Sequence, residues 1–289
     1  MMKNQDDYAV AVRKPDGEIV VETAKYGGLK ISKKIKNIPV IRGVFNFIDS
    51  LVLGMKTLMF SASFFEEEEK TEDTPQKKRQ DDIMMGGTVA LSVVLAVAIF
   101  MVLPYFLSLF FERFVTSQML LALIEGVIRL AIFIGYVGAI SLMPDIRRVY
   151  MYHGAEHKCI NCIEHGLELT VENVRGSSKE HKRCGTSFLL IVMLVSIVFF
   201  MFIRVDNGVL RLLLRLLLIP VIAGVSYEFI RLAGRSDSAL VNFLSRPGMW
   251  LQHLTTKEPD DAMIEVGIAS VEAVFDWRSY INEIREGRA

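Results

Sequence analysis

The chain has 289 residues, of which 52% are apolar, and its 33 Lys and Arg balance its 33 Asp and Glu. Its mean hydropathy of +0.36 and several long apolar runs place it in a lipid bilayer rather than among ordinary soluble domains. The predicted fold class is mainly α: a polytopic membrane protein with about four transmembrane helices, an N-terminal β-hairpin and a cytoplasmic metal-site loop.

Residues 1–36 are predicted to form a small cytoplasmic β element. Two alternating runs, residues 8–13 and 18–23, flank the sequence Lys-Pro-Asp-Gly at 14–17. An Asp-Gly pair between such runs is typical of a β-hairpin. The first forty residues also lack the apolar core of a cleavable signal peptide.

Residues 37–65 are predicted to form an amphipathic helix, because Arg42, Asn46 and Asp49 recur at helical spacing on an otherwise apolar segment. This helix is expected to lie in the membrane interface, with a re-entrant segment or a fifth span as the alternative. A crossing would place the amino terminus outside, against the charge distribution. Residues 66–82 have no apolar side chains to bury, which predicts a mobile charged linker.

Four apolar runs are predicted to cross the bilayer. They are residues 87–111 and 118–143 in the segment 83–143, and residues 186–203 and 209–230 in the segment 186–232. Basic residues precede the first span and fill the segment 144–185, whereas the linkers after the first and third spans are short. The positive-inside rule therefore predicts a multi-pass protein with both termini and the segment 144–185 in the cytoplasm, where cysteines are reduced.

Charged residues within the spans are candidate functional residues. Glu125 and Arg129 are four apart, so they are expected to pair along one helix face. Such an intramembrane ion pair serves either ion or substrate passage or the specification of the fold. Glu228 is predicted near the cytoplasmic end of the fourth span, as an additional metal ligand or as an interfacial partner of Arg231.

The segment 144–185 holds four of the five histidines and all three cysteines. His153, Glu156 and His157 form the pattern H-x-x-E-H, in which two imidazoles four apart can bind one zinc ion while the carboxylate reaches a water on the metal. This predicts a site for zinc, or another divalent transition metal, with Glu156 as the catalytic base. A zinc knuckle at Cys159 and Cys162 has acceptable spacing but is the weaker interpretation. A polar loop with solvated histidines is the alternative to any metal site.

Residues 233–289 are predicted to be a cytoplasmic segment with an amphipathic helix. The sequence Glu-Pro-Asp-Asp at 258–261 is typical of a helix start. The apolar face that follows extends through Trp277, and a structural role is favoured for it over a catalytic one.

Six phrases of this sequence resemble the YqhQ family. They are AVRKPDGE at residues 11–18, YHGAEHK at 152–158, LTVENV at 169–174, HKRCGTSF at 181–188, RPGMWLQ at 246–252 and TTKEPD at 255–260. The resemblance covers nearly the whole chain. It implies a protein of the bacterial cell membrane in a family of unknown function, described as predicted metal-dependent enzymes.

The resemblance also implies a choice of metal ligands. The family pattern includes His153, Glu156, His157, Glu164, His181 and Cys184, whereas Cys159 and Cys162 do not reliably belong to it. His153 and His157 are accordingly ranked as ligands together with His181 or Cys184, and Glu164 and Glu228 as possible additional ligands. Relatives usually begin with a Gly-rich segment ahead of the hairpin, which is expected to matter if that segment lines the site.

Two functional classes follow from these patterns. In the first, zinc acidifies a bound water, Glu156 takes its proton, and the protein hydrolyses a membrane peptide or a lipid at the cytoplasmic membrane face. In the second, the metal is structural and the protein is a transporter, channel or assembly scaffold.

The expected partners are the lipid bilayer and the substrate, and a homo-oligomer is left open. A nucleic-acid partner is not expected, since the basic residues are explained by membrane orientation and no stacking aromatics accompany them. The chain has no G-x-x-x-x-G-K-[ST] motif for ATP.

Overall fold

The computed structural model of the protein describes residues 1–28, 38–64, 75–182, 184–203, 205, 207–234 and 238–286. These residues form a mainly helical protein with one small antiparallel sheet. The helices are α1 Ile41–Ala62, α2 Pro75–Val97, α3 Leu103–Glu112, α4 Gln118–Ile140, α5 Pro144–Glu164, α6 Val171–Gly176, α7 Gly185–Met201, α8 Gly208–Ala233, α9 Ala239–Thr255, α10 Asp261–Glu272 and α11 Trp277–Arg285. A π-helical stretch, Ala98–Val102, joins α2 to α3.

The predicted hairpin is confirmed. It consists of β2, Asp7–Arg13, and β3, Ile19–Lys25, and a third strand, β1, Met2–Asn4, pairs with the other edge of β2. Gly17 has a φ of +91°, a left-handed conformation that glycine adopts without steric cost and that closes the turn. A strand of three residues is too short to show an alternating pattern, which is why the sequence did not reveal β1.

In the part of the chain that the structure describes, four helical segments are long and apolar enough to cross a membrane: Ile41–Ala62, Gly86–Glu112, Gln118–Ile140 and Gly208–Ala233. The expected number is therefore confirmed, but the set differs from the predicted one. It includes α1, and it omits α7, whose 17 residues span only about 26 Å.

The polar residues that make α1 amphipathic face the protein and not the solvent. The polar residues Asp49 and Thr57 are buried, whereas Leu51, Met55 and Leu58 are exposed. The outward face of this helix is consequently apolar, as a lipid-facing surface requires.

Two predicted boundaries need correction. Residues 66–74 of the expected linker lie outside the described residues, but residues 75–82 are helical and begin α2, because Pro75 suits the first turn and good helix formers follow it. The expected loop at 144–185 is mostly helical, since α5 and α6 occupy it. Pro144 and Asp145 in the first turn of α5 favour a helix start there.

The described part of the carboxyl-terminal segment contains three helices rather than one. The predicted helix is α10, which begins where the Asp260 carboxylate accepts a hydrogen bond from the Met263 N–H at 2.8 Å. It ends at Glu272, and a new cap at Asp276 begins α11. α9 was not predicted, because Pro247 lies inside it and proline usually interrupts helices.

The chain divides into two compact units. The first comprises Met1–Phe65, Val137–Val192 and Ala223–Ala289, and the second comprises Glu66–Tyr136 and Met193–Ile222. In the first unit α5 and α6 pack against α10 and α11. The apolar core between these helices includes Cys159, Cys162, Ile264, Val271 and Trp277, and it holds α5 in place.

Candidate metal centre

Helix α5 presents His153 and His157 one turn apart, with their ring centroids 4.4 Å from each other. The chain after α9 packs closely against this helix, and the Lys257 N–H donates to the Tyr150 carbonyl at 2.9 Å. A Cβ at Gly154 would lie 2.1 Å from the Lys257 carbonyl oxygen. Glycine at position 154 therefore permits the close approach that brings the end of α9 to the histidines.

Both imidazoles are oriented by main-chain carbonyls. His153 Nδ1 lies 2.9 Å from the Thr255 oxygen, and His157 Nδ1 lies 2.7 Å from the Lys179 oxygen. Because a carbonyl oxygen only accepts hydrogen bonds, each Nδ1 carries a proton, and Nε2 is the nitrogen that could bind a metal after losing its own proton. Metal-binding histidines are commonly oriented in this way.

Cys184, which directly precedes α7, completes the cluster. Its Sγ lies 3.2 Å from His153 Nε2. Ligand atoms of His153, His157 and Cys184 all lie within 4.8 Å of one another, and no other such group occurs in the part of the chain that the structure describes. Two nitrogens and one sulfur at these separations can converge on a single ion.

The electrostatics of the cluster favour a thiolate. Burial opposes ionisation of Cys184, but hydrogen bonds and positive charge from His153 and His157 outweigh it and lower the thiol pKa to about 5. Burial likewise disfavours the charged form of His153, yet its contact with Cys184 leaves the imidazole pKa raised. The thiolate is the form of cysteine that binds metals.

His181 and Glu164 lie beside the cluster and contact each other. His181 Nε2 is 3.1 Å from Glu164 Oε2, and its ring centroid is 5.9 Å from that of His157. Gln252 on α9 holds the His181 main chain, since its side-chain amide accepts from the His181 N–H and donates to the His181 carbonyl, both at 2.8 Å.

Two cavities meet at the cluster. The first, of about 510 Å³, has His153, Glu156, His157, Glu164, His181 and Cys184 among its lining residues. The second, of about 400 Å³, also has His153 and Glu156 in its wall. The half-buried Glu156 side chain therefore lies where both cavities reach the candidate ligands.

Comparisons with known proteins identify the family of the chain. Residues 38–277 match the model of a family described as "Protein of unknown function (DUF1385)". The chain belongs to the DUF1385 family. "Uncharacterized protein YqhQ" of Bacillus subtilis (strain 168) is 34% identical over 278 residues, covering 93% of this chain and 87% of that protein. No solved structure matches the chain.

The resemblance to the YqhQ family is thereby confirmed, and the chain is a membrane protein of the DUF1385 family. The matched region extends from the residues before α1 to the first residue of α11. It includes every residue of the cluster and of both cavities except Met1, Tyr280 and those contributed by the amino-terminal sheet.

Other predicted site residues of this DUF1385 chain lie elsewhere. Glu228 pairs with Arg42, whose Nε donates to Glu228 Oε1 at 2.6 Å, and neither residue lines the two cavities. Cys159 and Cys162 lie in the apolar core, and burial raises the pKa of the Cys159 thiol to about 12. His165 contacts the carbonyl of Asn161 at 2.7 Å.

Glu125 and Arg129 of the second unit form the expected pair, with Oε1 and Nη2 2.7 Å apart. The sequence did not reveal a third member, Arg215 of α8, whose Nη1 lies 2.5 Å from Glu125 Oε2. Arg129 also donates to the Ser196 hydroxyl at 3.2 Å. All three charged side chains are buried, so one carboxylate is shared by two guanidinium groups.

Several residues that position the site also escaped the sequence analysis. Thr255 and Lys179 act through main-chain carbonyls, which any residue type supplies, so no side-chain pattern points to them. Gln252 could have been found, because it is a polar residue in the mainly apolar phrase RPGMWLQ at 246–252. In the structure its side chain is fully buried. A buried amide of this kind is expected to have hydrogen-bond partners.

Proposed function

We propose that this protein is a membrane-embedded, zinc-dependent hydrolase that acts on a membrane peptide or lipid. The observation that carries the proposal is the cluster of His153, His157 and Cys184, with Glu156 in the same cavity. Catalytic zinc sites use three protein ligands and leave a position for water, whereas structural sites are closed by four. Because the ligand atoms that lie within 4.8 Å of one another belong to His153, His157 and Cys184 and not to His181, the geometry supports the three-ligand arrangement.

The donor set fits zinc. Two imidazole nitrogens and one thiolate are ligands that zinc binds in enzymes, and other divalent transition metals accept the same set. The hydrogen bonds to the Thr255 and Lys179 carbonyls add support, because they hold each ring with Nε2 toward Cys184. Deprotonation of Cys184 near neutral pH is consistent with a ligand role.

The side chains of the site suit a hydrolytic step. A bound zinc ion would acidify a water and polarise the substrate carbonyl. Glu156 is placed to take the proton from that water and to return it to the leaving group. The cavity on each side of Glu156 gives substrate a route to the carboxylate.

The packing of the first unit supports a cytoplasmic site and four crossings. β2 and α5 both pack against α10, so the amino terminus, the cluster and the carboxyl-terminal helices share one side of the membrane. The chain from β3 to α5 must then cross an even number of times. We assign these crossings to the segment Gly86–Glu112 and to α4, and the return crossings to α7 and α8.

In this arrangement α1 lies in the interface. Leu53, in the middle of α1, packs against Tyr8, Val10 and Val12 of the sheet, which a helix midpoint within hydrocarbon could not do. The shortness of α7 is accommodated by local thinning of the bilayer. The basic residues of the segment 144–185 support a cytoplasmic position for the shared side.

A transporter or channel with a structural metal is the second candidate function. The observation that favours it is the buried group of Glu125, Arg129 and Arg215, which carries one excess positive charge in the second unit. Ionisable residues within membrane segments commonly mark ion or substrate pathways.

Glu156→Gln separates the two functions, because the amide keeps the shape of the side chain and loses the proton acceptor. A hydrolase is expected to retain zinc and thermal stability in this variant while losing complementation of a deletion strain by a factor of at least about 100. Metal content, melting temperature and growth are the measurements. Full complementation by a zinc-loaded variant would contradict the hydrolase and favour the transporter or scaffold.

A further inference from the structure

Helix α9 has an apolar face that no part of the described chain covers. Its exposed apolar residues recur at helical spacing along the helix and are Leu240, Phe243, Leu244, Pro247 and Trp250. The exposed fractions of Leu240, Phe243 and Trp250 are 68%, 63% and 54%. Large apolar side chains at this spacing form one continuous stripe, and an exposed stripe of this kind usually contacts a lipid surface or another protein.

The opposite face of α9 packs against the protein. Its buried residues include Val241, Ser245, Gly248 and Gln252. A Cβ at Gly248 would lie 2.8 Å from the Ser187 Cβ, and the Gln252 amide donates to the Ser187 hydroxyl at 2.7 Å. These contacts fix the rotation of the helix about its axis, so the apolar stripe is held facing outward.

Two apolar helices place α9 beside the bilayer. α8 ends at Ala233 and α9 begins at Ala239, so the chain between them reaches at most about 20 Å. Further along, α9 packs against Ser187, the third residue of α7. In the topology proposed above, the end of α8 and the start of α7 both lie at the cytoplasmic membrane surface. A helix held at these two points lies along that surface.

The composition of α9 fits this position. It is not among the described helices that are long and apolar enough to cross a membrane. Amphipathic helices that lie in the interface typically have tryptophan on the apolar face and basic residues beside it. Trp250 belongs to the stripe, and Arg246 is exposed next to it, where its guanidinium group can reach anionic lipid headgroups.

We infer that the stripe contacts the cytoplasmic leaflet of the bilayer, and that α9 is an interfacial helix with Leu240, Phe243 and Trp250 inserted among the lipids. α9 ends at Thr255, whose carbonyl contacts His153, and Thr255 lies only about 7.5 Å beyond Trp250 along the helix axis. The helix therefore holds the candidate metal centre at the level of the lipid headgroups. This inference uses the proposed topology but requires neither zinc nor hydrolysis.

The chain has two tryptophans, which makes the test direct. The full chain is reconstituted in bilayers of phosphatidylcholine and phosphatidylglycerol whose acyl chains carry bromine, a fluorescence quencher, either close to the headgroup or close to the methyl end. Trp277→Phe leaves Trp250 as the fluorophore. Trp250→Phe leaves Trp277, which is buried in the core of the first unit, as the matched control. If Trp277→Phe does not fold, the difference between the wild type and Trp250→Phe reports on Trp250.

Insertion of α9 predicts a loss of Trp250 emission that is large with bromine near the headgroup and small with bromine near the methyl end. Trp277 should keep its emission in both lipids. Phe243→Asp should shift the Trp250 emission to longer wavelength, because a carboxylate on the stripe is costly to bury in lipid. Leu167→Asp, at an exposed apolar residue between α5 and α6, is the control and should leave the emission unchanged.

Trp250 emission that neither brominated lipid quenches would overturn the inference. If that emission also lies at short wavelength, the stripe is covered by protein, and disulfide cross-linking of Leu240→Cys to itself would identify a second copy as the occupant. Stronger quenching by bromine near the methyl end would place α9 within the hydrocarbon and contradict an interfacial helix. These outcomes do not involve the metal content, so the hydrolase proposal is decided separately by its own measurements.

Discussion

The orientation of the His153 and His157 rings depends on the main-chain carbonyl groups that contact them as well as on their positions in α5. The Thr255 and Lys179 carbonyls hold a proton on Nδ1 of each ring, and Cys184 Sγ lies 3.2 Å from His153 Nε2. Such partners of metal-binding histidines commonly change metal affinity by about 10–100-fold when they are lost. The cluster therefore depends on side chains and main chain together.

At the residue scale, purified wild-type protein is expected to carry about one zinc ion per chain, and His157→Ala is expected to lose most of it. The reason is that two imidazoles and one thiolate cannot hold the ion once one donor is removed. Elemental analysis provides the measurement, and His165→Ala, which changes an exposed histidine directly after the same helix, is the matched control. Absence of metal from carefully handled wild-type protein would defeat the metal-site hypothesis.

At the scale of elements, the site depends on how α5 is held against irregular backbone. The buried Lys158 amine donates to the Arg175 and Ser177 carbonyls at 3.0 and 2.8 Å. Asn161 donates in the same way to Ser178 and Glu180. Two side chains of α5 thus bind the segment that carries the Lys179 carbonyl, so that this carbonyl reaches His157.

Gly154→Ala tests the packing on the other side of α5. The added methyl group would overlap the Lys257 carbonyl, so α5 and the end of α9 must separate, at a cost of about 1–3 kcal/mol. Zinc content should fall as well, because the Thr255 carbonyl moves with that segment. Gly135→Ala in α4 is the control, since a Cβ there has no neighbour within 4 Å; equal melting temperatures for the two variants would contradict this account.

At the scale of the whole molecule, the assigned topology has measurable consequences. The native cysteines are buried, so exposed cysteines must be introduced to report on sidedness. In intact cells an impermeant thiol reagent should label Ser117→Cys, between α3 and α4. Ser63→Cys, after α1, and Glu168→Cys, near the cluster, should react only after the membrane is opened.

Labelling of Ser63→Cys from outside would show that α1 crosses the membrane, and labelling of Glu168→Cys would move the cluster to the external face. The Ser117→Cys variant serves as the positive control for an external site. A cysteine at Thr170, also exposed near the cluster, provides an independent second position.

The sequence by itself determined the local features of this protein. The Lys-Pro-Asp-Gly turn and its flanking alternation specified the hairpin, apolar length specified three of the four candidate spans among the described residues, and H-x-x-E-H placed two histidines on one face of a helix. These features are readable because each depends on residues a few positions apart, where backbone geometry fixes which side chains share a face.

Only the tertiary structure decided which distant groups complete each site. Cys184 joins His153 across 31 positions and the Thr255 carbonyl joins it across 102, while Glu228 pairs with Arg42 and Arg215 joins Glu125. The sequence contains several residues that could have served as each partner, and the packing of the helices determines which of them makes the contact. Main-chain carbonyls leave no trace in residue type, so the groups that orient both histidines become visible only when the helices are packed.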